Sequence, residues 1–174
     1  DFLVQFAKDR NLEVYQDEIL NVIIKKPGTP GYENSEPLII QGHMDMVCVK
    51  TDDSNHNFDT DPIEMIVEGD VLRANNTTLG GDDGIAVAYG LAILDADDIP
   101  HPPLELLVTT NEETGMDGAM ELKADHLSGT RLLNLDTEVE GDFLVSCSGG
   151  SNIDLSFDIE REVNSSKAYK LSIS

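Results

Sequence analysis

His43 and Asp45 stand two positions apart at the end of the apolar run Leu38-Ile39-Ile40. In extended chain, residues i and i+2 share a face, so the imidazole and the carboxylate are within reach of each other. A carboxylate that accepts one ring N–H fixes the tautomer and aims the other nitrogen at a metal ion. Such a pair is more often a loop hydrogen bond than a metal site, and alone it decides nothing. Two more apolar runs finish in acidic residues: residues 104–110 lead into Asn111-Glu112-Glu113-Thr114-Gly115, and residues 131–135 lead into Asp136. The loop Leu79-Gly80-Gly81-Asp82-Asp83-Gly84 adds Asp82 just before a helical stretch. Carboxylates crowded in one place repel one another unless cations neutralise them, and two divalent ions would do so. Imidazole and carboxylate donors with few thiolates suit Zn²⁺, or less tightly Mn²⁺ or Co²⁺.

For these groups to meet, their apolar runs must be strands of one sheet, since functional groups of open α/β sheets gather beyond the carboxyl ends of the strands. The hydrophobic periodicity predicts the elements that would carry them. Phe2, Leu3, Phe6 and Ala7 mark a helix closed at Asn11, followed by strands over residues 12–15, 19–25 and from 38. Residues 63–67 and 71–74 read as a hairpin around Glu68-Gly69-Asp70. A helix over 85–94, rich in small residues, can pack closely on the sheet; the strands at 104–110 and 131–135 flank a short helix around 119–123. A further strand is expected over 143–147. Beyond Gly149-Gly150 the pattern changes, with Ile153, Leu155, Phe157 and Ile159, then Tyr169, Leu171 and Ile173, alternating with polar residues. The expected fold is α/β, a mixed sheet flanked by helices over residues 1–149, followed over 150–174 by the first strands of an α+β domain with one wet face.

Composition excludes several function classes. Among 174 residues the net charge is -23, which argues against nucleic acid and anionic membrane surfaces as partners and permits cations. The longest apolar runs are far shorter than a membrane span, and no basic segment followed by an apolar one opens the chain. Cys48 and Cys147 are too few for a disulfide framework and read as free thiols of a reducing compartment, Cys48 as a buried, inert one. The glycine-rich loop at 79–84 resembles a phosphate cradle, but no lysine or arginine is near and its aspartates would repel the anion. Asp53, Asn55, Asn57, Asp59, Asp61 and Glu64 have calcium-loop spacing. Phe58 stands where that turn needs glycine and Pro62 interrupts it, so the stretch reads as a solvated acidic loop, with His56 structural or exposed.

Taken together, Gly42-His43-Met44-Asp45, Leu79-Gly80-Gly81-Asp82-Asp83-Gly84, Asn111-Glu112-Glu113-Thr114-Gly115-Met116-Asp117-Gly118-Ala119 and Asn134-Leu135-Asp136 resemble the dinuclear-zinc exopeptidases. That family includes glutamate-releasing carboxypeptidases, aminoacylases and carnosine-type dipeptidases, and the likeness is strongest to its Xaa-His dipeptidase branch. The resemblance implies two divalent metal ions, Zn with Mn or Co as alternatives. Asp82 would bridge them, His43 and Asp136 would complete one site, and Glu113 would belong to the other. Asp45 would orient His43, and Glu112 would be the general base for a metal-bridged hydroxide attacking a dipeptide. The peptide after Asp82 is expected to be cis, and the segment after Gly150 to begin a lid domain through which relatives dimerise. A cytoplasmic location follows from the same likeness. Relatives take a second histidine ligand from a segment that returns after the lid, and His101 lies a strand length, about 20 Å, from the Glu112 end. The chain is therefore expected to be an excerpt, inactive alone. Two rivals stand beside this reading: a carboxypeptidase or N-deacylase on the same scaffold, and a non-catalytic acidic metal-binding module built on the 53–64 loop.

Overall fold

Val22, Ile23 and Ile24 are buried, and so is every residue of Leu104–Thr109, because these runs are covered on both faces. The computed structural model describes residues 2–137, 139, 141–147, 149, 150, 153–158 and 160. Its elements in order are α1 (Phe2–Asp9), β1 (Glu13–Gln16), β2 (Val22–Lys26), β3 (Leu38–His43), β4 (Met65–Glu68), β5 (Val71–Ala74), α2 (Gly81–Asp95), β6 (Leu104–Thr109), α3 (Glu112–Gly115), α4 (Asp117–Glu121), a 3₁₀ turn at Ala124–His126, and β7 (Arg131–Asn134). Five strands form a mixed sheet in the order β1-β2-β6-β3-β7, and β4 and β5 form a separate antiparallel hairpin. β2 pairs antiparallel with both β1 and β6, whereas β3 pairs in parallel with both β6 and β7.

That topology positions the site. In the parallel register His43 lies opposite Thr109 and Gln41 opposite Asn134, so β3, β6 and β7 finish side by side. Main-chain bonds carry the pairing past the strand ends, from Met44 N–H to Thr109 O at 2.9 Å and from Leu135 N–H to Gln41 O at 3.1 Å. On one face, Leu3 and Ala7 of α1 and Leu94 of α2 pack over Val22, Ile24, Ile40, Leu104, Leu106 and Val108. On the other, Ile23, Ile39 and Leu107 are covered by Tyr15, Leu122 and Leu127. The small residues of α2 serve the close approach expected of them: a side chain at Gly90 would collide with Leu106.

Glu105 is 2% exposed on that second face, an unusual place for a carboxylate. It accepts the N–H groups of Ser128 and Gly129 and the Ser128 hydroxyl, and Lys25 Nζ lies 3.1 Å away. Burial alone would raise its pKa, but these donors outweigh it and hold the carboxyl below its ordinary value. Glu105 thereby fastens the turn that leads into β7 and so sets where Asp136 emerges. A depressed folded-state pKa gives stability that is complete above the ordinary glutamate value and lost as pH falls through the folded one. Glu105→Gln should therefore cost about 1.5–3 kcal/mol near neutral pH, and the gap from the native protein should narrow on acidification to about pH 3. Urea denaturation at both pH values measures it; a gap untouched by acid would show that the charge is irrelevant.

Some expectations need correction. β2 begins at Val22 rather than Ile19, because Asp17 Oδ1 accepts the N–H groups of Ile19 and Asn21 and closes a turn with Leu20 at φ 74°. The expected helix around 119–123 lies earlier, as α3 and α4, which meet at Met116 in a left-handed conformation. Residues 143–147 form no strand; Phe143 is 89% and Val145 99% exposed, and β-prone side chains make no strand without a partner backbone. Residues 153–158 likewise form none, while Ile159, Tyr169, Leu171 and Ile173 lie outside the described residues. Cys48 is free but exposed, since it sits in the loop after β3 rather than on a buried strand face. By packing, the chain divides into Asp1–Glu140 and Gly141–Ser174.

Candidate metal centre

β3 delivers His43 to the sheet edge at 1% exposure, with its ring held from both sides. Nδ1 lies 2.9 Å from the main-chain carbonyl of Asp45 and 3.5 Å from its Oδ1. A proton on Nδ1 donated there leaves Nε2 to face the carboxylates. Nε2 is 3.0 Å from Asp82 Oδ1, 3.8 Å from Glu112 Oε2 and 3.9 Å from Asp136 Oδ2. The loop before α2 supplies Asp82. It turns through Gly80 at φ 76°, and the Asp82–Asp83 peptide is cis, as the family resemblance implied.

Asp45 does more than touch His43. Its Oδ1 accepts the Glu112 N–H at 3.1 Å and its Oδ2 the Glu113 N–H at 3.2 Å. A helix leaves its first N–H groups without internal partners, and this carboxylate satisfies two of them for α3. Asp45 thus ties the end of β3 to the segment that follows β6. Asp83 was read from sequence only as a neighbour of Asp82, yet it is 2% exposed and its Oδ2 accepts the His43 N–H at 3.1 Å. A side chain at Gly42 would meet that oxygen at 2.6 Å, so the glycine makes room for the contact. An acidic residue directly after Asp82 was the only signal available in the sequence.

The electrostatics are those of an uncompensated anionic cluster. Burial, with Asp136 and Asp82 beside it, pushes the Asp83 carboxyl up to about 6 despite the His43 N–H. Burial and the charges of Asp136, Glu113 and Asp45 raise Glu112 against the opposing pull of His43. For His43 burial disfavours the charged ring, but the Asp45 carbonyl and the Asp82 and Asp136 carboxylates outweigh it, and its pKa is raised. Three overlapping groups have ligating atoms within 4.8 Å of one another: His43, Glu112 and Asp136; His43, Asp82 and Glu113; and Asp82, Asp83 and Asp136. Donor atoms around a tetrahedral zinc, with bonds of about 2.0 Å, sit about 3.3 Å apart, close to the spacings around Nε2. The donor set fits divalent metal.

All five residues expected to meet, His43, Asp82, Glu112, Glu113 and Asp136, do so, with Asp45 behind them. Clefts of about 220 and 230 Å³ open beside the cluster, and Asp136 lines both. The other histidines are engaged elsewhere: His56 is edge-on to Phe58, His101 Nδ1 faces Pro102 O, and His126 stacks on Tyr15. None of the three groups draws on the 53–64 loop, whose acidic side chains serve local turns, as Asp61 does for Asn57 N–H.

No family model matches the chain. A cytosol non-specific dipeptidase of Escherichia coli K12 is 40% identical over 162 residues, covering 93% of this chain and 33% of that protein. The crystal structure of aminoacylhistidine dipeptidase from Vibrio alginolyticus matches with a TM-score of 0.77 and 45% identity, over 80% of this chain and 29% of that one. Over the part of them that it spans, the chain is similar to these two dipeptidases. The crystal structure of the aminopeptidase PepT from Bacillus cereus, at 24% identity and a TM-score of 0.62, shares the fold over 78% of this chain and 36% of that one. The chain spans about a third of the length of the Escherichia coli and Vibrio alginolyticus dipeptidases.

Proposed function

We propose that the protein is a metal-dependent dipeptidase acting on Xaa-His dipeptides at this centre. The observation that carries the reading is the convergence of His43, Asp82, Glu112, Glu113 and Asp136 beyond three parallel strand ends, in a chain 40% identical to a named dipeptidase. Asp82 would be shared between two ions, with His43 and Asp136 on one and Glu113 on the other. Zinc is the reading, with manganese or cobalt as the other metals this donor set accepts. Bound divalent ions supply Lewis acidity for the peptide carbonyl and lower the pKa of water.

The remaining work falls to the chain itself. Glu112 accepts a proton from the attacking water as its oxygen joins the carbonyl carbon. When the C–N bond breaks, Glu112 passes that proton to the departing nitrogen, leaving a carboxylic acid and an amine. A raised carboxyl pKa suits a group that must take and then return a proton near neutral pH. Asp45 supports both halves, holding the His43 ring with its carbonyl and the Glu112 and Glu113 main chain with its carboxylate.

Among the described residues no helix is long and apolar enough to cross a membrane. The reading includes a cytoplasmic location, supported by the E. coli relative being named a cytosol enzyme, and a homodimer formed through a lid that begins at residue 150, supported by the family resemblance. A panel of Xaa-His dipeptides, other dipeptides and N-acyl amino acids, offered to the intact protein, tests the activity. Hydrolysis of Xaa-His dipeptides, abolished by chelation and restored by zinc, is expected. Turnover confined to N-acyl amino acids would replace the dipeptidase reading with the deacylase one.

A further inference from the structure

α3 is a single turn, too short to hold its own shape, yet it carries both Glu112 and Glu113. Asp45 grips its head. Its base is gripped by Asn21, which stands just before β2, is 1% exposed, and belongs to no group proposed for metal or substrate. Asn21 Oδ1 accepts the Thr110 N–H at 3.1 Å, where the segment leaves β6. Asn21 Nδ2 donates to Gly118 O at 2.8 Å, where the segment ends, and to Asp17 Oδ2 at 2.8 Å. The Gly118 N–H bonds back to Thr110 O, and the Thr110 hydroxyl to Ile19 O, so both ends of residues 110–118 close on one buried carboxamide. Turning that amide over would set an NH₂ against the Thr110 N–H, so its orientation is dictated. Gly118 must stay small: a Cβ there would lie 2.6 Å from Asn21 Oδ1.

We propose that Asn21 is a positioning residue for the proposed dipeptidase, holding the Thr110–Gly118 joint so that Glu112 reaches the reacting water. The inference rests on the role given to Glu112 under the proposed function. Small displacements of a catalytic group cost large factors in rate, whereas His43, Asp82 and Asp136 sit on other elements and keep their places when the joint loosens.

The discriminating variant is the exchange Asp17→Asn/Asn21→Asp in the intact protein. It keeps the net charge, the acceptor for Thr110 N–H and a donor–acceptor pair between positions 17 and 21, but it sets an oxygen against Gly118 O. Gly118→Ala presses on the same joint from the other side. Three quantities are read per folded, zinc-loaded chain: kcat and KM for a Xaa-His dipeptide, and amide hydrogen exchange over residues 110–118. Both variants should lose about 10- to 100-fold in kcat with KM unchanged, and their exchange in that segment should quicken. Native kcat and native exchange in both, whatever happens to melting temperature, would reduce Asn21 to a stabilising residue and overturn the proposal. Native kcat with quickened exchange would overturn it too. Absence of dipeptide hydrolysis in the unsubstituted protein would instead fail the dipeptidase reading, a result the substrate panel detects independently.

Discussion

Glu112→Gln in the intact protein is expected to keep its full complement of metal and lose about 10²–10⁴-fold in kcat. The substitution preserves the size of the side chain and the main-chain N–H that Asp45 Oδ1 accepts at 3.1 Å, so α3 stays where it is. What disappears is the proton acceptor. Glu112 Oε2 lies 3.8 Å from His43 Nε2, inside the cluster and beside a cleft of about 220 Å³ that a substrate could enter. Because a carboxamide does not titrate in the working range, the residual activity should also lose the acidic limb of its pH profile. Metal analysis by mass spectrometry and steady-state kinetics on the same sample measure both halves. Near-native turnover with metal bound would take the base role away from Glu112.

Asp82→Asn should fail differently, in the metal content itself. Asp82 Oδ1 is 3.0 Å from His43 Nε2 and belongs to two of the three ligating groups, so its charge is shared. Removing that charge would leave the two proposed cations facing each other with less anion between them. Even outer partners of metal ligands typically carry about 10- to 100-fold in affinity, and a shared ligand should carry at least as much. Competition against a zinc-binding dye gives the affinity directly. Two zinc ions held as tightly as in the native protein would contradict the bridging assignment, whatever the activity did.

Much of this centre was legible in the sequence because its parts lie at the ends of strongly apolar runs. Leu38-Ile39-Ile40 and Leu104 to Thr109 could hardly be anything but covered strands, and whatever follows such strands in parallel must converge. The order of the sheet was another matter. β6 inserts between β2 and β3, a choice that depends on which strands fit against one another and leaves no local trace in the sequence. The supports were also hidden. Asn21 precedes Val22-Ile23-Ile24 as an unremarkable polar residue, and only the fold brings Thr110 and Gly118 to it. Asp45 was read through its nearness in sequence to His43, whereas its carboxylate serves the main chain of residues 67 and 68 positions further on. Side chains that bond across such distances cannot be found by spacing. The apolar residues at 143–147 misled for the opposite reason: their types favour strands, but a strand also needs a neighbour.

The most direct test of the account is an anomalous-difference map at the zinc edge from crystals of the intact, zinc-loaded protein. The account predicts two peaks per chain beyond the ends of β3, β6 and β7. Asp82 should touch both, with His43 and Asp136 at one and Glu113 at the other. A single peak, or zinc bound instead in the acidic loop from Asp53 to Glu64, would contradict it.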